Sequence, residues 1–251
     1  MITTKSSIMI ELNKIYCESC EETLSRMDDN SIDLIITSPP YNKGFYSSVP
    51  DNAIWKKSTI SYDTYNDNMQ PQEYEDSQKH VISECLRFLK PTGSIFYNHK
   101  DIINNGLIVH PKYVYSFPVH QVIIWNRLNS PMISTKYYLP VTEYFFWIVK
   151  DKKQTLFNRS NCGKFSTNVW ARVANKQANH PAPFPYEIIG NIINCCTNEN
   201  DIVYDPYMGG GTTAVAAVLQ RRNYIGSEIS EKYVSMAEKR IKEATSQITL
   251  F

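Results

Sequence analysis

Short runs of β-branched and aromatic residues alternate with helix-length amphipathic segments along most of the chain. That rhythm predicts a parallel sheet covered by helices. Asp33-Leu-Ile-Ile-Thr37 reads as a buried strand, stopped by Pro39-Pro40, which cannot donate to a ladder. A helix follows over Gln78–Lys90: Val81, Ile82, Cys85, Leu86, Phe88 and Leu89 share one face, and Pro91-Thr-Gly93 marks its end. Gly93–Asn98, Val119–Asn126 and Val141–Lys150 read as further strands, the last two separated by a polar loop containing Asn129-Ser-Pro131.

The C-terminal third repeats the pattern: helix over Pro185–Cys196, strand over Asp201–Asp205, helix over Gly211–Arg222 and strand over Tyr224–Glu228. Ser230 then caps a helix that turns Tyr233, Val234, Ala237 and Ile241 inward. A Rossmann-like half needs one more strand after this helix, yet the chain ends at Phe251. The unused strand candidate at Asn13–Cys17 fills that place, so the order of elements reads as circularly permuted. Two segments fall outside the plan. Residues 43–70 are polar, aromatic and irregular, with Phe45, Tyr46, Trp55, Tyr62 and Tyr65; residues 150–176 are basic. Loops this long in a compact domain are usually functional or disordered.

Composition narrows the class. At 251 residues with 42% hydrophobic content, the chain can bury one full core. No apolar run approaches the roughly 20 residues needed to span a bilayer, and Met1–Glu11 lacks the apolar core of a secretory signal. A cytoplasmic protein without a membrane partner is expected. Cys17, Cys20, Cys85, Cys162, Cys195 and Cys196 read as reduced thiols, and adjacent cysteines are poor metal spacing, so no metal site is expected. The net charge is +1, which alone argues against a nucleic-acid partner. The charge is uneven, however. Lys150, Lys152, Lys153, Arg159, Lys164, Arg172 and Lys176 face a single acid, Asp151, in the basic stretch. Such a stretch can meet several phosphates or be a solvated loop. Lys43, Lys152, Lys153, Arg159, Lys164, Arg172 and Lys176 are the candidate nucleic-acid contacts.

Asp205-Pro206-Tyr207-Met208-Gly209-Gly210-Gly211-Thr212-Thr213 follows a strand and opens a helix. Glycines there let the backbone approach a ligand, and the helix N-terminus offers N–H groups to an anion. Glu228 ends the next strand, where a carboxylate can bind both hydroxyls of a ribose. No Lys-Ser/Thr follows the glycines, which excludes a P-loop. A nicotinamide enzyme stays open on this feature alone. Against it, Asp205 would repel a pyrophosphate but suits the ammonium of a methionine moiety, whose carboxylate suits Thr212, Thr213 and the helix N–H groups. S-adenosylmethionine is the favoured cofactor.

Thr37-Ser38-Pro39-Pro40-Tyr41-Asn42 sits at the carboxyl end of a strand, where open α/β sheets bind ligands. An aromatic amine is a poor nucleophile because its lone pair is delocalised into the ring. Two acceptors aimed at its hydrogens, Ser38 Oγ and the Pro39 carbonyl, would draw the nitrogen toward a tetrahedral geometry by positioning and electrostatics. Pro40 fixes the turn, and Tyr41 would stack on a base flipped from the duplex. Taken singly, the turn reads better as a plain proline-rich connection.

The two motifs together resemble the amino-methylating DNA methyltransferases. Thr37–Asn42 is similar to their catalytic motif IV and Asp205–Thr213 to their motif I; catalytic motif first and cofactor motif last resembles the family's β group. Leu89-Lys-Pro-Thr-Gly93, Ile123-Ile-Trp-Asn-Arg127, Glu143-Tyr-Phe-Phe-Trp147, His180-Pro-Ala-Pro-Phe-Pro185 (motif X) and Arg222-Asn-Tyr-Ile-Gly-Ser-Glu228 extend the likeness over nearly the whole chain. The resemblance implies an S-adenosylmethionine-dependent methyltransferase fold with a mostly parallel seven-stranded sheet, helices on both faces and permuted motif order. It implies one catalytic domain over 1–251, a DNA-facing loop at 43–70 and a small target-recognition insertion at 150–176. Asp205, Pro206, Met208, Gly209, Gly211, Thr212, Thr213 and Glu228, with Ser19 and His180, would hold the cofactor. Ser38, Pro39, Pro40 and Tyr41 would act on the target base of double-stranded DNA.

Departures are few. Glu18-Ser19-Cys20 stands where the family often has Gly-Asp-Cys, which weakens the expected Ser19 contact to the adenine ring. Tyr207 and Gly210 are mild changes in motif I. Ser-Pro-Pro-Tyr is associated mostly with cytosine-N4 methylation and Asp-Pro-Pro-Tyr with adenine-N6, so cytosine is favoured and adenine is the alternative. A non-catalytic DNA-binding subunit and a protein-glutamine methyltransferase are further alternatives. A prokaryotic or phage restriction–modification setting, a cognate endonuclease and a homodimer are expectations from the resemblance alone.

Overall fold

The computed structural model describes residues 10–46, 65–130, 135–173 and 184–248. Most of the expected DNA-facing loop, Pro131, Lys176 and His180 lie outside the described residues.

Eight strands form the main sheet: β1 (Lys14–Tyr16), β2 (Ile32–Thr37), β3 (Leu89–His99), β6 (Val119–Asn126), β7 (Thr142–Val149), β8 (Val169–Ala171), β9 (Ile202–Asp205) and β10 (Asn223–Ser227). Their spatial order is β1-β10-β9-β2-β3-β7-β6-β8. Pairing is parallel except where β7 runs against β3 and β6. A separate hairpin, β4 (Ile102–Asn104) and β5 (Leu107–Val109), turns at Asn105-Gly106. Helices α1 (Cys20–Leu24), α2 (Lys43–Tyr46), α3 (Pro71–Phe88), α4 (Tyr186–Cys196), α5 (Thr212–Leu219) and α6 (Glu231–Ile248) complete the fold.

The first strand of the chain does pair with the last: Lys14, Ile15 and Tyr16 lie against Ile225, Gly226 and Ser227. The expected count of seven strands is corrected to eight. The extra strand, β8, falls inside the basic stretch, and three residues are too few to show a period of two.

Alternation along the strands sorts the core onto two faces. Leu34, Ile36, Phe96, Phe145, Trp147 and Val203 meet the apolar sides of α4, α5 and α6, including Ile188, Ile192, Ala217, Val234 and Ala237. Ile35, Ile95, Tyr97, Phe146, Ile148, Tyr204 and Ile225 meet α1 and α3 through Leu24, Val81, Ile82, Cys85 and Phe88.

Helix α3 begins seven residues before the expected Gln78, with Pro71 at its start; Pro71–Ser77 carries one apolar residue, Tyr74, so hydrophobic periodicity does not reveal this segment. It also ends earlier than Lys90. Leu89 turns extended, and β3 begins there, before Pro91. The register jumps from Ile32↔Leu89 to Leu34↔Ser94, so Lys90–Gly93 bulge out of the ladder, where a proline loses no bond.

Candidate active site

Strands β2 and β9 are parallel neighbours, with Leu34 opposite Val203 and Ile35 opposite Tyr204. Their carboxyl ends therefore emerge at one edge, and the turn Ser38–Asn42 lies beside the glycine loop Pro206–Gly211. A buried hydrogen bond joins the two: Thr37 Oγ1 donates to Asp205 Oδ1 at 2.9 Å, across 168 positions of sequence.

Asp205 is 2% exposed. Its carboxylate also accepts from Thr213 Oγ1 (2.7 Å) and the Tyr207 N–H (3.0 Å). Burial pushes its pKa up to about 6, while these donors pull the other way. Glu228 stands at the end of β10, its Oε2 accepting from the Gly209 N–H (2.9 Å) and its Oε1 from the Ser230 N–H (2.9 Å). Burial raises its pKa too. Arg240 of α6 donates to the Gly210 carbonyl, fixing the far side of the loop. Two carboxylates thus flank the glycines, and the nearby guanidinium is spent on backbone. This set suits an ammonium, a sulfonium and a ribose diol, and it would repel a pyrophosphate.

Gly209 (φ 52°) and Gly211 (φ 78°) adopt the left-handed conformation that the loop requires. A Cβ at Gly211 would also lie 2.6 Å from Ala237 Cβ. Gly211→Ala should therefore lower stability by about 2–4 kcal/mol, combining left-handed strain with overpacking; urea unfolding measures this.

Several cofactor-loop residues have structural partners rather than open faces. Thr213 Oγ1 is committed to Asp205. Thr212 is buried, with its hydroxyl 3.5 Å from Arg240. Met208 is buried against Gly226, where a Cβ would lie 2.4 Å from Met208 Cε; it packs the loop onto β10. Pro206 is likewise buried. Ser19, expected near an adenine ring, has a structural role of its own. Its hydroxyl caps α1 by accepting from the Glu22 N–H (3.3 Å), and Glu22 Oε2 accepts from the Ser19 N–H in return (3.0 Å).

The catalytic turn is held by residues that sequence did not single out. Ser38 Oγ donates to Asn98 Oδ1 at 3.1 Å and lies 2.8 Å from the Tyr41 hydroxyl. Tyr41 also donates to Asn98 Oδ1, and its oxygen sits 3.4 Å from Glu143 Oε2. Asn98 is fully buried, anchored by Nδ2 donating to the Tyr144 carbonyl (3.1 Å). With the serine proton directed at Asn98, the Oγ lone pairs are left to accept from a substrate. On the next position, burial drives His99 down to about 4, so its ring is neutral at pH 7. Nε2 lies 3.1 Å from the Tyr74 hydroxyl, which donates to the Pro40 carbonyl (2.9 Å). Asn42, at φ 55°, closes the turn by bonding both the N–H and the carbonyl of Met69 (2.8 Å each). Among the described residues, no donor reaches the Pro39 carbonyl.

Tyr41, expected to stack on a base, is buried in this structure. It is 7% exposed, with the His99 ring 4.6 Å away between centroids and the ammonium groups of Lys43 and Lys100 over the ring at 5.2 and 5.9 Å. Behind them, Glu143 forms an ion pair with Arg127 at 2.6 Å.

The basic stretch does not form one surface. Lys150 reaches the Leu89 carbonyl (2.8 Å) and Asn30 at the amino ends of β3 and β2, so exposed Lys152 and Lys153 lie at the end of the sheet opposite Ser38. Lys164 (2.8 Å) and Arg172 both pair with Glu187 of α4. Arg159 is exposed at the start of a 3₁₀ turn spanning Arg159–Phe165. Of the expected DNA contacts, Lys43 directly follows the Ser38–Asn42 turn, at the start of α2.

The chain matches the family model described as DNA methylase over residues 32–239, from β2 into α6. It is 28% identical to the type II methyltransferase M2.MboI of Moraxella bovis, covering 92% of this chain and 88% of that protein. It is 26% identical to the DNA adenine methyltransferase YhdJ of Escherichia coli K12, covering 88% and 80%. Among solved structures, the cytosine-N4-specific PvuII DNA methyltransferase superposes with TM-score 0.71 at 18% identity, covering 96% of this chain and 93% of that one, a likeness of fold. With both of the family's loops joined at one sheet edge, the chain belongs to the DNA methylase family.

Proposed function

We propose that this protein transfers a methyl group from S-adenosylmethionine to N4 of a cytosine flipped out of double-stranded DNA. The observation that carries the reading is the Thr37–Asp205 hydrogen bond, which ties the catalytic turn to the cofactor loop. When bound, S-adenosylmethionine supplies a sulfonium methyl open to attack. Asp205, Glu228 and the Gly209–Gly211 backbone would hold it; the protein's remaining work is to present the amine.

Ser38 Oγ and the Pro39 carbonyl accept the two amino hydrogens, which localises the nitrogen lone pair. Asn98 keeps the serine lone pairs turned outward, and the Tyr74–Pro40 bond fixes the turn's backbone. Tyr41 receives the face of the base. Water, or the Ser38 oxygen as a relay, takes the proton released from the methylated nitrogen. No covalent bond to the protein forms.

Cytosine is supported by serine at the first position of Ser38-Pro-Pro-Tyr41, as in the resemblance above. The adenine-methylating relative supports the second reading, adenine-N6, on the same turn. Relatives named type II methyltransferases support a restriction–modification setting with a cognate endonuclease in a bacterial cytoplasm. Expression in a methylation-free host, followed by mass spectrometry of genomic nucleosides, is expected to yield N4-methylcytosine. N6-methyladenine would change the base alone. Methyl label on protein glutamine, or on nothing, would overturn the reading.

A further inference from the structure

The catalytic rim carries two ammonium groups in an arrangement the fold alone does not need. Lys43 follows the catalytic turn at the start of α2, and Lys100 follows β3. Both are half-buried, and both stand over the same tyrosine ring, Tyr41. Among the described residues neither Nζ has a hydrogen-bond or ion-pair partner. The carboxylate facing both, Glu143, is taken by Arg127 at 2.6 Å; Asp67, which faces Lys43, accepts from the Gly44 N–H through Oδ2 at 3.3 Å and keeps its buried Oδ1 without a hydrogen-bond partner, forming no ion pair with Lys43 among the described residues. Burial and mutual repulsion lower Lys43 to about 8, and burial lowers Lys100.

Two like charges brought together and partly desolvated are unfavourable in the free protein, and cation–π contact returns only about 0.5–1 kcal/mol each. An anion is what would complete the pair. A base stacking on Tyr41 would compete for the ring with the two ammonium groups at 5.2 and 5.9 Å from its centroid. The flipped nucleotide brings its own anions, the phosphodiesters on either side of it.

Resting on the DNA-methylating reading above, we propose that Lys43 and Lys100 form a phosphate seat for the flipped nucleotide. Before flipping, the two ammonium groups cap Tyr41. As the base takes the ring face, at about 1–3 kcal/mol of stacking, the flexible lysine stems swing the charges onto the flanking phosphates. The exchange removes the like-charge pair and holds the base in place. Charge on the rim thus reports on flipping itself, unlike an ordinary backbone contact, which forms with any DNA.

The test uses full-length protein with cofactor and two short duplexes, one carrying the sequence found methylated in the host genome and one with that sequence scrambled. Binding is measured against salt for wild type, Lys43→Gln, Lys100→Gln and the two Lys→Arg variants. On the target duplex each Gln variant should lower the slope of log K against log salt by roughly 0.9, the value for one lost phosphate contact. The Arg variants should restore it, and the scrambled duplex should show no change. An unchanged slope on the target duplex would overturn the proposal. An equal drop on both duplexes would overturn it as well, making the lysines general DNA contacts. A wild-type protein that methylates no DNA would instead bring down the reading beneath it, a distinguishable failure.

Discussion

Asp205→Ala is expected to abolish measurable S-adenosylmethionine binding in calorimetry and to lower the stability of the fold. The carboxylate is the shared acceptor for Thr37, Thr213 and the Tyr207 N–H. Removing it leaves two buried hydroxyls unpaired, at about 1–3 kcal/mol each. On the proposed reading it also takes away the charge that would face the cofactor's ammonium, worth about 3 kcal/mol or a hundredfold in affinity. Asp205→Asn separates these effects: it keeps a hydrogen-bonding group between the threonines and loses the charge. That variant should melt near wild type, yet bind cofactor about a hundredfold more weakly. Acidification should mimic it. Because burial raises the folded pKa of Asp205 to about 6, the ionised form burdens the folded protein above that pH, and protonation relieves the burden below it. Cofactor affinity should therefore fall as pH drops through about 6, while this group's contribution to stability moves the opposite way. Wild-type affinity in Asp205→Asn would remove the carboxylate from the cofactor site.

Ser38→Ala should reduce single-turnover methylation by about 10²–10³-fold, the usual cost of losing one preorganised hydrogen-bonding group at a reacting centre. Cofactor affinity should stay within about twofold, because Ser38 makes no bond to the glycine loop. The fold should tolerate the change: Asn98 Oδ1 still accepts from Tyr41, so no buried acceptor is orphaned. The loss should appear in the rate of chemistry rather than in DNA affinity. A turnover within a few-fold of wild type would leave the Pro39 carbonyl as the sole acceptor and take Ser38 out of the mechanism.

The sequence made the two loops legible because each is local. A buried strand ending in Ser-Pro-Pro-Tyr, and another ending in a triple glycine, carry their chemistry in consecutive residues. Pairing of the first strand with β10 was readable too, since a vacancy and an unused strand matched. The support of the site was hidden because register supplies it. Asn98 reaches Ser38 only because β3 lies beside β2, and Glu143 reaches Tyr41 only through the β3–β7 and β6–β7 pairings that put it beyond Tyr144. A polar residue at the carboxyl end of a predicted strand was the one available signal for Asn98. The protein partners of Ser19 and Thr213 were hidden for a related reason: a hydroxyl next to a glycine loop looks the same in sequence whatever it bonds. The basic stretch was legible only as a count of charges. Charge was visible, but not that Glu187 would claim Lys164 and Arg172, nor that Lys152 and Lys153 would follow a residue anchored at the opposite end of the sheet.

The adjacency of the two loops is tested most directly by a crystal structure with S-adenosylmethionine bound. The sulfonium methyl should lie in the gap between Gly209 and Ser38, directed at the Ser38 side, with room for an amino nitrogen about 3–3.5 Å from it. A cofactor seated elsewhere, or one whose methyl points away from Ser38, would contradict the account.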